Sequence, residues 1–313
     1  MRRTPRYRPA DGFFHRGPHS SLQAKVSVRE IGFDDDEFPG GVRTMERPPR
    51  RLWVVGRDLR GFGSMVTIIG ARRATQYGLS VAHRLAGDLA VGGVCVVSGM
   101  ARGCDAAAHD GALEGGGATI AVLGSGADVC YPAGSRTLYA EIAAKGAIVS
   151  AHPPGYVPHK HDFVHRNDIM VAMSVAVVVV QGDKHSAAVE TGGRAAGRGT
   201  GNVFAVPGSI EWPQSEGVHG LLKSGANVCT LASDIADVLQ GAICWNPPEV
   251  APVPAHLPDA QQRILNVLSR GAAGREQIIT ESGLAAAEAS MSITRLELQG
   301  YVVEEGFLLR RMR

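Results

Sequence analysis

The sequence predicts an α/β fold, a doubly wound parallel sheet followed by a small helical domain. Three observations carry this. Short, wholly apolar runs alternate with helical stretches from Val66 to Leu239, as in strands buried on both faces. Glycine-rich turns follow the first three of those runs. After a proline-rich stretch the hydrophobic pattern takes a helical period.

Taken in order, Leu52 to Val55 reads as an edge strand and Val66 to Ile69 as the first regular strand, leading into Gly70-Ala71-Arg72. A helix follows over 78–90, then a strand over 94–97. Next comes SGMARGCDAAAH at 98–109, around which the rest is arranged. It is a glycine turn entering a helix over 106–113, with Asp105 as the expected N-cap. Strands at 119–123, 147–150, 175–180 and 203–206 continue the pattern. Helices are expected near 135–144, 167–173, 218–224 and 233–239, with a glycine-broken helical stretch after residue 180. This is a Rossmann-like core, and such folds bind ligands outside the carboxyl ends of their strands. The turns at Ser98, Gly99, Arg102 and Gly103, and at Gly124, Ser125 and Gly126, fall on that edge with Gly70. Their backbone N–H groups and a helix dipole suit phosphate.

Composition bounds the function classes. The formal net charge is only +2. Residues 1–60 carry 13 Lys/Arg against 8 Asp/Glu, residues 61–250 carry 12 against 15, and residues 251–313 carry 7 of each. The core is not a broadly basic body, so any nucleic-acid grip must be focused in a groove. Five widely spaced cysteines without a CxxC pair point to reduced thiols and a cytoplasmic setting. No apolar run has the length of a membrane span, and no leader segment is evident. Residues 1–37, rich in arginine and closed by Asp34-Asp35-Asp36-Glu37, read as disordered. The core is therefore expected over 38–241 and a proline-rich linker over 242–257.

Residues 258–313 read as three helices and a hairpin, a winged helix. Its third helix carries Glu288 and Glu297 against Arg295. That charge disfavours phosphate and favours contact with protein, with Arg310, Arg311 and Arg313 as the basic exception.

The ordered motifs resemble the DNA-processing protein A family (DprA, also called Smf). They are IIGARRATQYG at 68–78, SGMARGCDAAAHDGAL at 98–113, IAVLGSGADVCYPAG at 120–134, HDFVHRND at 161–168, VFAVPGS at 203–209 and LELQGYV at 296–302. The resemblance spans roughly 38–313. Some members carry an additional helical N-terminal domain, for which this sequence leaves no room. The resemblance implies a non-enzymatic protein without cofactor or metal. It implies binding of single-stranded DNA at the strand ends, self-association as a homodimer, and loading of RecA recombinase in natural transformation. On that reading Arg72 and Lys160 hold phosphates, Phe163 stacks on a base, and Arg166 and Asn167 reach phosphate or a base edge.

Two departures stand out. Asp168 occupies a place where the family usually has arginine and would repel phosphate if it faced the groove. The stretch 186–194 carries two glycines where the family reads like GSLITAR. Three rival readings are a nucleotide-cleaving phosphoribohydrolase, whose PGGxGTxxE motif is absent, a metal site among His152, His159, His161 and His165, and a duplex-DNA regulator using the winged helix.

Overall fold

The structure is a computed structural model that describes residues 27–197, 202–239, 253–269, 273–305 and 308–312. The chain divides into two compact units, Met1–Trp245 and Asn246–Arg313. In the first, the elements run β1 (Arg29–Gly32), α1 (Gly40–Arg43), β2 (Arg51–Gly56), β3 (Met65–Ile69), α2 (Gln76–Val91), β4 (Cys95–Ser98), α3 (Cys104–Glu114), β5 (Thr119–Leu123) and α4 (Arg136–Lys145). They continue β6 (Ala147–Ser150), α5 (Asp162–Met173), β7 (Ala176–Val179), α6 (Ala187–Gly197), β8 (Val203–Ala205), α7 (Glu216–Lys223), β9 (Asn227–Val228) and α8 (Ala232–Leu239).

One nine-stranded sheet has the order β1-β2-β6-β5-β4-β3-β7-β8-β9. From β6 through β9 all neighbours are parallel. The strands after β3 progress one way as β4, β5 and β6, and then the other way as β7, β8 and β9. Helix α5 makes the crossover between the two halves, so the order reverses between β3 and β7, and such sheets take ligands beyond the carboxyl ends of strands near that reversal. Side chains alternate between two buried layers. Val66, Ile68 and Val178 pack with Leu85 and Leu89 of α2. Ile69, Val177 and Val179 pack with Ile169 and Met170 of α5. Burial on both faces is why these strands read as unbroken apolar runs.

Several expectations need correction. β2 is not an edge strand, because β1 lies outside it, and both run antiparallel. β1 falls within residues 1–37, and residues 27–37 are folded. The segment folds around Glu37, the buried member of the acidic run, while Asp34, Asp35 and Asp36 stay exposed. Glu37 pairs with Arg29 at 2.5 Å and accepts the Leu59 amide at 3.1 Å, while Ile31 and Phe38 are buried in the core. The expected disorder over residues 1–26 and most of the linker lie outside the described residues. Asp105 is not the N-cap of α3. Gly103 holds that place with φ 85°, and Asp105 sits buried in the first turn. α5 begins at Asp162, five residues before the expected start, where the Asp162 carboxylate accepts the His159 amide at 2.7 Å.

Among the described residues no helix is long and apolar enough to cross a membrane. The second unit contains α9 (Asp259–Leu268), β10 (Ala273–Gly274), α10 (Arg275–Ser282), α11 (Ala286–Leu298), β11 (Val302–Glu305) and β12 (Leu308–Arg311). Its sheet order is β10-β12-β11, and Ile264, Leu265, Ile278, Ile293 and Leu309 form its core. This is a winged helix. On α11, Met291 and Leu298 lie seven residues apart on one face, 59% and 83% exposed.

Helices α2 and α3 approach through glycine. A methyl group on Gly111 would run into the His83 carbonyl, and one on Gly115 would lie 2.8 Å from the Gly87 carbonyl. Gly111→Ala is therefore expected to destabilise the first unit by about 1–3 kcal/mol through overpacking. Urea unfolding of the variant against wild type measures this, and an unchanged midpoint would contradict the close approach.

Candidate nucleic-acid interface

The turns after β3, β4 and β5 meet at one rim of the sheet. The first two interlock. A Cβ on Gly70 would lie 2.6 Å from Cys104 Sγ, and one on Gly103 would strike the Ala71 carbonyl. The Cys104 amide donates to Ala71 O at 3.2 Å. Gly99 leaves the space that the Arg166 guanidinium fills, and a Cβ there would lie 2.8 Å from Asp105 Oδ2. Gly124 lies under Phe163, where a Cβ would be 3.3 Å from the ring.

Above this floor sits an aromatic and cationic cluster. The Arg72 and Arg166 guanidiniums lie 5.5 and 5.7 Å from the Phe163 ring centroid. Tyr131, 48% exposed, tilts against the same ring at 5.7 Å between centroids. Arg72 is exposed, Phe163 is half-buried and Arg166 is buried. The structure thus brings Arg72, Phe163 and Arg166 together from elements 90 residues apart. Sequence reasoning missed Tyr131 as a member, although the Tyr131-Pro132 dipeptide was a visible signal.

Arg166 is 5% exposed and donates Nη1 to the Val122 carbonyl at 3.2 Å, while its Nε has no partner. Burial lowers its pKa, against the upward pull of Asp105. Burial likewise pushes the Asp105 carboxyl up, against Arg166 and the amides of Ala101 and Gly70. A carboxyl group of the chain itself therefore takes up the amides where an external phosphate was expected. One turn along α3, His109 is fully buried, with Nδ1 2.7 Å from Thr119 Oγ1. Thr119 donates its proton to Val96 O at 2.7 Å, so Nδ1 carries the hydrogen and Nε2 is left without a partner. Burial, and secondarily Arg166, takes this imidazole down to about 3.

Four expected phosphate contacts are turned inward. Ser98 is buried and donates to Ile68 O at 2.6 Å. Ser125 is buried and donates to Val129 O at 3.0 Å. The Gly126 amide donates to Tyr156 O at 2.9 Å. Asn167 donates to Thr191 Oγ1 at 2.9 Å, toward α6. Each satisfies a buried polar atom of the fold and is not directed at the opening. Arg102 and Lys160 are exposed, and neither is stacked on the Phe163 ring. Asp168 lies 3.4 Å from Arg194, which offsets its charge.

The histidines also have defined partners. His152 and His161 lie 3.5 and 3.1 Å from Asp162, and His152 stacks on Tyr156 at 4.1 Å. His165 turns away toward the Arg47 carbonyl at 3.4 Å. Burial alone would raise the Asp162 carboxyl. The His159 amide, the Tyr156 hydroxyl and the two imidazoles outweigh it and hold it below the ordinary range. Among the described residues no group of three or more His, Cys, Asp or Glu is placed to hold a metal ion.

Residues 29–240 match the family model for DNA recombination-mediator protein A. The chain belongs to the DprA family. Residues 247–306 match the DprA winged helix domain. A DprA relative from Mycobacterium tuberculosis is 37% identical over 290 residues, 87% of this chain and 74% of that one. The DprA of Streptococcus pneumoniae superposes with a TM-score of 0.64 at 33% identity, covering 69% of this chain and 75% of that one. The Helicobacter pylori DprA, whose structure concerns its single-stranded DNA binding mode, superposes with 0.63 at 28% identity, covering 71% and 100%. The family match begins at Arg29, where β1 begins.

In this DprA-family chain two outcomes follow from the buried charges. Arg166→Met is expected to cost about 3–5 kcal/mol, because Asp105 is left buried without its counter-charge. Asp105→Asn added to Arg166→Met recovers part of that loss, and a double-mutant cycle by chemical denaturation measures the coupling. Additive losses would show that the two groups do not compensate each other. His109 stays neutral in the folded protein, while in the unfolded chain it protonates near 6.5. Its contribution is whole above pH 6.5 and is lost as pH falls toward about 3. The stability gap between wild type and His109→Asn should shrink by about 1.4 kcal/mol per pH unit in that window. Thermal or urea unfolding between pH 7 and 4 checks the slope.

Proposed function

We propose that this protein is a single-strand-binding recombination mediator that holds unpaired DNA along the β3–β4–β5 rim and carries out no bond chemistry. The observation that carries the reading is the Phe163 ring, flanked by two guanidiniums and an exposed tyrosine above a glycine floor. An exposed face of aromatic rings takes an unpaired base by stacking, and the neighbouring guanidiniums take its phosphates. Arg102 and Lys160 extend the positive charge along the same edge. The Helicobacter pylori relative's link to single-stranded DNA agrees with this chemistry.

In this reading the bound strand is handed to RecA recombinase, and the protein acts as a homodimer. The description of the matched family as a recombination mediator supports the first part. The second is supported by β9, which ends the sheet with Val228 and the nearby Leu231 exposed. The phosphoribohydrolase alternative finds little support in Glu190, which pairs with Arg194 at 2.6 Å one helical turn away.

Anisotropy of a labelled oligothymidine tests the assignment. Phe163→Ala should weaken binding by about 1–3 kcal/mol, the range for loss of one stacked base. Arg72→Ala should weaken binding and reduce the salt slope by about 0.7, one phosphate contact on a single strand. Binding unchanged by both substitutions would move the site elsewhere. A preference for duplex that disappears on removing residues 258–313 would assign binding to the winged helix.

A further inference from the structure

A second feature lies on the same rim, two strands away from Phe163. Pro49, Arg50, Arg51, Trp53, His152 and His165 line a cleft of about 330 Å³. This volume lies at the small end of the ~300–1,000 Å³ range of ligand clefts. Because β2 runs antiparallel to β6, with Trp53 opposite Ser150, the start of β2 lies beyond the carboxyl end of β6. The cleft therefore opens on the edge where Gly124 follows β5. In the sheet order β5, β6 and β2 are consecutive. Two strand spacings make ~10 Å, within reach of the next nucleotides on a strand seated at Phe163.

The lining has the chemistry of a nucleotide contact. Residues 43–51 hold four arginines, Arg43, Arg47, Arg50 and Arg51, against Glu46. Arg51 pairs with Glu30 at 2.8 Å. Arg50 has no carboxylate partner among the described residues, and its guanidinium lies 5.5 Å from the Phe33 ring, which positions it. Trp53 is half-buried and offers a flat apolar surface beside Pro49. Asp162, the acid beside His152 and His161, is covered by the Tyr156 hydroxyl, the His159 amide and the two imidazoles. A phosphate passing from Phe163 to the cleft therefore meets imidazole edges, with that carboxylate already engaged.

We infer that this cleft is a second subsite for unpaired nucleic acid, taking a base against Trp53 and a phosphate on Arg50 as the strand leaves Phe163. It rests on the rim reading given under Proposed function. It makes the β1–β2 extension of the sheet part of the binding surface.

A length series of oligothymidines read by anisotropy tests it. Arg50→Glu should weaken long oligomers by at least ~5-fold and leave the shortest bound oligomer within about 2-fold, while Arg50→Lys keeps most of the affinity. The second measurement uses the intact chain with Trp212→Phe and Trp245→Phe, which leaves Trp53 as the remaining indole. Its emission should be quenched by the long oligomers and unaffected by the shortest. Equal loss at every length, no loss at any length, or unchanged Trp53 emission at saturation would each overturn the subsite. Arg72→Ala weakening every length while Arg50→Glu weakens none would sink the cleft alone. Wild-type protein that binds no oligomer would sink both readings.

Discussion

A guanidinium buried where Gly99 has no side chain organises the rim. Arg166 enters from the crossover helix α5 and reaches the backbone of β5 at Val122. Its charge is set against Asp105, on the first turn of α3. Both groups lose hydration, and each offsets part of the other's cost. Three segments of the sheet edge are thereby fixed relative to one another. Gly99 and Gly103 are needed because the guanidinium and the Ala71–Arg72 backbone occupy the volume of any Cβ. Phe163, three residues before Arg166 and so on the same side of α5, is held over Gly124 as a consequence.

This changes what the glycine turns are for. A strand–glycine–helix turn gathers amides and attracts an anion. Here a carboxyl group of the chain takes that place, since Asp105 lies against the amides of Ala101 and Gly70. The Gly126 amide is similarly closed by Tyr156. The guanidinium left exposed above this floor is that of Arg72. Gly99 and Gly124 leave the space in which the Arg166 guanidinium and the Phe163 ring sit. The rim in this way presents a ring flanked by two guanidiniums and a tyrosine, above turn amides taken up within the chain.

The strand and helix order was legible in the sequence because burial on both faces leaves an unambiguous apolar pattern. Thr119 to Leu123 and Ala147 to Ser150 are strands over the residues expected. Residues 27–37 were misread because composition reports unpaired charge, whereas Glu37 is paired with Arg29, eight residues away. Asp105 was misread because an Asp before an apolar run looks like a cap, and only packing shows that Gly103 takes that place. At the site, Arg72, Phe163 and Arg166 carried recognisable motifs. Ser98, Ser125 and Asn167 carried them too, yet their hydrogen bonds close on Ile68, Val129 and Thr191. A motif names the residues of a turn without stating which way each polar group points. Direction comes from the neighbours, which one chain read linearly does not reveal.

The charge balance follows the same logic. Residues 61–250 hold more acids than bases, which by itself argues against a polyanion partner. Four of these acids, however, are locally engaged. Asp162 is capped by an amide, a hydroxyl and two imidazoles, Asp168 lies against Arg194, and Asp128 accepts the Gly155 amide at 2.8 Å. Asp105 is buried behind Arg166. The cations at the opening are under no such restraint, since Arg72, Arg102 and Lys160 are exposed and form no ion pair among the described residues. The potential at that edge is set by which charges reach water there. Net charge over the domain averages those exposed cations with carboxylates that the fold has already engaged, and so does not report the charge at the rim.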